Sequence, residues 1–322
     1  MVRQLVSGIW VPTVTFFTEN DEVDTATIAK HTVRLAKAGI KAMVTLGSYG
    51  EGVLLSPKER SLVNSTTRKA LDDAGFTDIP VVAGVTEQSV KGAVALTKDA
   101  KEAGADAILM VCSSYYRGFV DETYITDFFT GVADESPLPI VIYNYPGVTA
   151  GIDIPSELLI KLSAHPNIIG TKFTCGNSGK LARVAGAVKS IGPLSKTSTL
   201  ADVASGDGYF CIAGMADFLT QALAVGGSGV ISGPGNITPK TVVRVYELFK
   251  AGKYEEAFAA QQKLSDSDYV LTNLGPEGTK CALQQFFGYG GHVRRPMQRK
   301  SEDAVKQQAV EIQKYIDFES SL

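Results

Sequence analysis

Apolar, β-branched runs recur along the first 235 residues of this chain, at 9–16, 42–46, 79–85, 107–112, 140–143, 168–173, 209–213 and 229–231. Between them lie segments with helical signals, at 25–38, 56–74, 87–103, 121–134, 156–164, 178–190 and 218–225. A helix between two strands carries the chain back over the sheet, so such strands lie parallel and are joined by right-handed crossovers. Eight strand-helix units predict closure into an α/β fold of the (β/α)8 TIM-barrel type. The alternative is an open doubly wound sheet, but the GxGxxG phosphate fingerprint is absent after the first run.

Local chemistry supports the boundaries. Ser56 followed by Pro57 and Glu59 reads as a helix N-cap with proline at the first helical position and a carboxylate reaching back, while Gly39, Gly75 and Gly104 fit helix C-termini. GPGNITP at 233–239 is a turn-rich break, and helical patterns resume at 240–251, 254–271, 278–287 and 301–318. We read residues 1–235 as the barrel and 236–322 as a helical extension packed on it, since no flexible linker composition surrounds the break.

Composition narrows the partners. A net charge of -3 supplies no basic field for nucleic acid or an anionic membrane surface, and no apolar run reaches bilayer-spanning length. The N-terminal stretch lacks the apolar core of a signal peptide, so a soluble, intracellular, cytoplasmic protein acting on small molecules is expected. Cys112, Cys175, Cys211 and Cys281 are widely spaced and form no CxxC pair. His31, His165 and His292 are isolated, in keeping with surface or capping roles, so neither a metal site nor a disulfide framework is expected.

Against that background Lys172 stands out, because it interrupts the apolar run NIIGTKFTCGN at 167–177. Burial of a lysine disfavours its charged form, and a partly neutral amine near pH 7 is a nucleophile toward ketones, forming a Schiff base. The alternative is a strand-end lysine whose ammonium reaches water along its own stem. Barrel chemistry sits at the C-terminal ends of the strands, which is where Lys172 falls.

Three further motifs end strands. In GSYGE at 47–51, two glycines flank a hydroxyl pair, and the turn can aim backbone N–H groups and the Ser48 and Tyr49 hydroxyls at a carboxylate, or it can be an ordinary turn. In YNYPG at 143–147, Tyr143 is either a proton carrier or a buried tyrosine bonded to a carbonyl. SSYYRG at 113–118 ends the fourth strand with paired tyrosines, which by themselves read as a packed aromatic pair at a subunit contact.

Together these pieces resemble the dihydrodipicolinate synthase and N-acetylneuraminate lyase superfamily of pyruvate-type class I aldolases, over nearly the whole length. The GSYGE turn, the Glu59–Arg60 pair, YNYP, GTK and GVIS arrive in that family's order. The resemblance implies that Lys172 is the Schiff-base residue, that Tyr143 and Ser48 relay protons, and that Tyr116 is lent across a dimer interface. It further implies that Ser48 and Tyr49 hold a pyruvate carboxylate, that no cofactor is needed, and that the chain assembles as a dimer of dimers.

Departures from the family bear on the substrate. Val148 stands where dihydrodipicolinate-forming enzymes carry an arginine. Thr174 matches a substrate-contacting threonine of sialic acid lyases, whereas Ala216 and Asp217 stand at their Asp-Glu pair, and Tyr49 replaces a threonine. YNYPG with GTKFTCGN is similar to the fungal branch that acts on 2-keto-3-deoxy-L-galactonate in D-galacturonate breakdown, implying reversible cleavage to pyruvate and L-glyceraldehyde. Thr174, Ser232 and Asp217 are then expected to bond hydroxyls of a neutral aldehyde. Alternatives are 4-hydroxy-2-oxoglutarate cleavage, dihydrodipicolinate synthesis, or silent binding of a sugar acid.

Overall fold

The computed structural model describes residues 3–193 and 208–322. Strands β1 (Gly8–Pro12), β2 (Ala42–Thr45), β3 (Val81–Gly84), β4 (Ala107–Val111), β5 (Ile140–Asn144), β6 (Ile168–Phe173), β7 (Phe210–Ala213) and β8 (Gly229–Ile231) run parallel. The sheet closes into a barrel, with β8 pairing back onto β1. Helices α1 (Thr25–Lys37), α2 (Pro57–Asp73), α3 (Val90–Glu102), α4 (Glu122–Glu135), α5 (Ser156–Leu162), α6 (Ser178–Ala187) and α7 (Leu219–Ala224) alternate with the strands. This is the (β/α)8 barrel that the sequence predicts.

Both faces of each strand are covered, which is why the strands read as continuous apolar runs. On β4, Leu109 and Val111 belong to the interior cluster with Trp10, Val44, Val141 and Phe210, whereas Ile108 and Met110 pack outward beneath the helices. The capping box on α2 forms as expected, with the Ser56 backbone N–H donating to Glu59 Oε2 at 2.8 Å. Gly39, Gly75 and Gly104 each follow a helix cap with positive φ.

One irregularity in the sheet decides which way Lys172 faces. Along the β5–β6 ladder Ile140 pairs with Ile168 and Val141 with Gly170, so Ile169 is an extra residue on β6. The bulge resets the alternation so that Thr171 faces outward, its hydroxyl 2.6 Å from the Tyr209 hydroxyl, and Lys172 faces inward. Gly170 is required by packing, because a Cβ there would lie 2.9 Å from Phe210 Cβ inside the barrel.

After β8 come α8 (Pro239–Lys250), α9 (Tyr254–Asn273), α10 (Gly275–Phe287) and α11 (Glu302–Ser320). Their presence explains why the expected first strand is too long. β1 ends at Pro12, and Val14 and Phe16 remain buried because they pack under α10 with Leu283 and Tyr289 rather than in the sheet. There Val14 N–H donates to Asn236 Oδ1 and the Thr15 hydroxyl donates to Gly50 O at 2.7 Å. The expected helix at 178–190 also stops early, at Ala187, and Ser190 instead bridges to Tyr209.

His31 corrects the surface-or-capping expectation. It is buried on α1, with Nδ1 3.0 Å from the Tyr289 hydroxyl and Nε2 2.9 Å from Asn236 Oδ1. Burial lowers its pKa to about 3, so the ring is neutral and joins α1 to the C-terminal segment. His165 is paired at the surface with Asp134 at 3.0 Å. No described helix is long and apolar enough to cross a membrane.

Candidate active site

A cavity of about 100 Å³ opens at the C-terminal ends of the strands and is lined by Ser48, Tyr49, Tyr143, Tyr145, Lys172 and Thr174 among others. Lys172 comes from β6 and is 4% exposed, so its amine cannot reach bulk water along its stem. Burial lowers its pKa to about 7, which makes the neutral, nucleophilic form abundant at physiological pH. Its Nζ lies 4.0 Å from the centroid of the Tyr143 ring, the residue paired with it across the β5–β6 ladder.

Tyr143 is itself buried, which pushes its pKa up to about 12, although the hydroxyls of Ser48 and Thr174 act in the opposite direction. It therefore rests as a phenol. Tyr145 stacks beside it, with centroids 5.5 Å apart and planes at 27°. Thr174, just past β6, keeps its Oγ1 buried beside Tyr143, in no well-aligned hydrogen bond among the described residues. An amine, a phenol and side-chain hydroxyls thus converge on one small volume.

The GSYGE turn supplies the opposite wall. It is held under strain, because Leu46 and Glu51 at its two ends adopt left-handed backbone with φ 59° and 52°. What holds it is a buried ion pair between Glu51 and Lys280 of α10, with Arg294 N–H also donating to Glu51 Oε2 at 3.0 Å. Burial lowers the Lys280 pKa to about 8, with the Glu51 charge opposing that shift. The strained turn keeps Gly47 and Ser48 on the cavity wall.

Not every expected residue is brought together. Tyr116 is exposed, packed edge-on against Tyr115 at 5.1 Å, and does not line the cavity of its own chain. Ser232 is fully buried and does not line the cavity, its hydroxyl facing Asp268 Oδ1 at 3.5 Å. Asp217 is half-buried and does not line the cavity, with burial raising its pKa and its Oδ1 unpaired among the described residues. Val148 is exposed and does not line the cavity.

Sequence reasoning missed Asp268 and Thr272, both on α9. Asp268 is buried and accepts the Asp217 N–H at 3.2 Å, and burial raises its pKa to about 7, with the nearby Asp217 charge adding to the effect. Thr272 lines the cavity. The run SDSD at 265–268 reads as a solvated face, but Ala257, Gln261, Leu264, Asp268 and Leu271 are the buried residues at helical spacing. An aspartate on that stripe was the available signal.

The comparisons with known proteins agree with the barrel fold. The signature of the "Dihydrodipicolinate synthetase family" matches residues 5–315. An Aspergillus niger protein named L-threo-3-deoxy-hexylosonate aldolase is 46% identical over 324 residues, covering 98% of this chain and 96% of that protein. An Emericella nidulans protein named "Probable 4-hydroxy-2-oxoglutarate aldolase, mitochondrial" is 44% identical over 294 residues, covering 91% and 90%. Among solved structures, a prophage protein of the dihydrodipicolinic acid synthase family from E. coli K12, in complex with pyruvate, superposes with a TM-score of 0.81 at 27% identity, covering 96% and 98%. With the barrel, the buried lysine and these matches in agreement, the chain belongs to the dihydrodipicolinate synthetase family.

Proposed function

We propose that this chain is a class I aldolase that reversibly cleaves a 2-keto-3-deoxy sugar acid, such as 2-keto-3-deoxy-L-galactonate, to pyruvate and L-glyceraldehyde. The observation that carries the reading is Lys172, an inward-facing lysine whose burial lowers its pKa to about 7 at the floor of a hydroxyl-lined cavity. The pyruvate complex of the E. coli K12 relative and the name of the Aspergillus niger relative support it.

In the cleavage direction, the neutral Lys172 amine attacks C2 of the keto acid, and the carbinolamine loses water to give a protonated imine. Tyr143, a phenol at rest, donates the proton that lets hydroxide leave as water. The imine cation then stabilises the Tyr143 phenolate, which takes the C4 hydroxyl proton as the C3–C4 bond breaks. The bonding pair flows into the imine to form an enamine, and the aldehyde departs. Protonation at C3 and hydrolysis release pyruvate and regenerate the amine. Ser48 and the turn amides hold the carboxylate, and Ser48 relays protons to Tyr143.

The acceptor follows from charge. A carboxylate-bearing aldehyde gains about 1.5–3 kcal/mol from a charged hydrogen-bond partner, or roughly ten- to a hundredfold in kcat/KM. Among the described residues no arginine lines the cavity, Val148 is exposed and is not among the lining residues, and Arg117 Nε donates instead to Ala150 O at 3.1 Å. A neutral polyhydroxy aldehyde is favoured. The enzyme works in the cytoplasm as a dimer of dimers, with Tyr116 reaching a neighbour's site.

Condensation with pyruvate tests the assignment. The expected result is a kcat/KM for L-glyceraldehyde above those for glyoxylate and aspartate semialdehyde. A preference for glyoxylate overturns the sugar-acid reading in favour of 4-hydroxy-2-oxoglutarate cleavage, the activity named for the Emericella nidulans relative.

A further inference from the structure

We infer that the Tyr49 side chain reads hydroxyl groups at the aldehyde end of the substrate rather than holding the pyruvate carboxylate, with Asp268 as the positioning residue behind it. The inference rests on the aldolase reading and assigns its acceptor subsite.

Tyr49 springs from the turn after β2, but its ring crosses to the turn after β8. A Cβ on Gly233 would lie 2.3 Å from Tyr49 Cζ and 2.6 Å from its hydroxyl oxygen, so the phenol tip rests on Gly233 and only glycine leaves room for it. Its neighbours there are the Asp268 carboxyl and the Thr272 hydroxyl, which lie four residues apart on one face of α9. The Tyr49 hydroxyl is buried on the cavity wall, interacting with the Thr272 hydroxyl but in no well-aligned hydrogen bond among the described residues.

That corner is wrong for a carboxylate. Asp268 is buried, its Oδ2 takes the Asp217 N–H at 3.2 Å, and its Oδ1 faces the Ser232 hydroxyl at 3.5 Å. Two carboxylates sharing a buried corner repel, and each resists ionising beside the other. A substrate hydroxyl has no such conflict, since it both donates and accepts. When the phenol directs its proton to Asp268, the lone pairs of its oxygen face the cavity and accept from a hydroxyl. The pyruvate carboxylate is left to Ser48 and the backbone amides of the turn.

The test compares L-glyceraldehyde with propanal, a three-carbon aldehyde lacking the hydroxyls, in condensation with pyruvate by the full chain and by Tyr49→Phe. Phenylalanine keeps the ring on Gly233 and removes only the hydroxyl. The expected result is a fall of about tenfold or more in the ratio of kcat/KM for L-glyceraldehyde to that for propanal. The pyruvate concentration for half-maximal borohydride trapping should move by less than about twofold. Asp268→Asn should raise KM for L-glyceraldehyde more than it lowers kcat, without moving pyruvate half-saturation. An unchanged aldehyde ratio, or a raised pyruvate requirement that slows both aldehydes alike, overturns the inference. Absence of any pyruvate adduct on the unaltered protein is a separate result, which overturns the aldolase reading and this subsite with it.

Discussion

Tyr143 and Lys172 are register partners across the parallel β5–β6 ladder, and that register sets the lysine Nζ 4.0 Å from the centroid of the phenol ring. A ring face favours the ammonium, whereas burial disfavours it. Burial prevails, and the pKa falls to about 7. In the proposed mechanism the same contact would set the protonated imine, a cation, beside the phenol proposed to hold and release protons.

Pyruvate trapping by borohydride should therefore label Lys172 and should depend on pH in the direction that frees the amine. With a pKa near 7, about one-tenth of the amine is neutral at pH 6 and about nine-tenths at pH 8. The trapping rate should rise across that window and level off above it, read by intact mass at fixed pyruvate. Lys172→Ala should keep the fold and lose both adduct and turnover. Labelling at another lysine would refute the assignment.

Tyr143→Phe retains the ring over Lys172 and removes only the hydroxyl proposed to carry protons. Turnover should fall by about 10²- to 10⁴-fold, the usual contribution of a positioned acid-base group. The pH profile of trapping should keep its midpoint. A shifted midpoint would mean that the hydroxyl, rather than burial, sets the state of the lysine.

Tyr116 lies in an exposed aromatic patch with Tyr115 and Phe119. If a neighbouring subunit receives it, Tyr116→Phe should lower kcat, and exchanged mixtures with Lys172→Ala should regain part of the activity by pairing an intact lysine with an intact tyrosine. Mixtures that regain nothing would place Tyr116 outside the relay.

The Glu51–Lys280 pair clamps the strained turn that carries Ser48. Lys280→Met leaves a buried carboxylate unpaired and should cost about 3–5 kcal/mol, seen as a lower Tm, along with a raised KM for pyruvate. Adding Glu51→Gln should restore part of the stability by removing the stranded charge. A double variant no more stable than the single would show that the pair is not a coupled unit.

His31 should make stability depend on acid. Its folded pKa, about 3, lies below the ordinary 6.5, so between those values the unfolded chain binds the proton and the folded chain does not. Stability is then lost as pH falls from 6.5 toward 3 and is insensitive to this group above 6.5. At about 1.4 kcal/mol per pH unit the loss is at most about 5 kcal/mol. His31→Gln should flatten the dependence of Tm on pH in that window, whatever it does at pH 7. An unaltered slope would assign acid sensitivity elsewhere.

The chain by itself determined the barrel, because eight apolar runs alternating with capped helices allow few other arrangements of a parallel sheet. It also singled out Lys172, since a lysine in a buried strand is a conflict visible in one dimension. The tertiary structure decided which way that lysine faces. A period-two pattern fixes a face only relative to its neighbours, and one extra residue at Ile169 reverses it, pairing Lys172 with Tyr143 inside the barrel. Asp268, Thr272 and Lys280 became part of the site only when α9 and α10 folded over the strand ends. Their spacing records helix faces and not the distant turns that those faces cover. The same folding set Ser232 against Asp268 and left Tyr49 against Gly233, because side-chain direction at a strand end depends on what packs across the mouth.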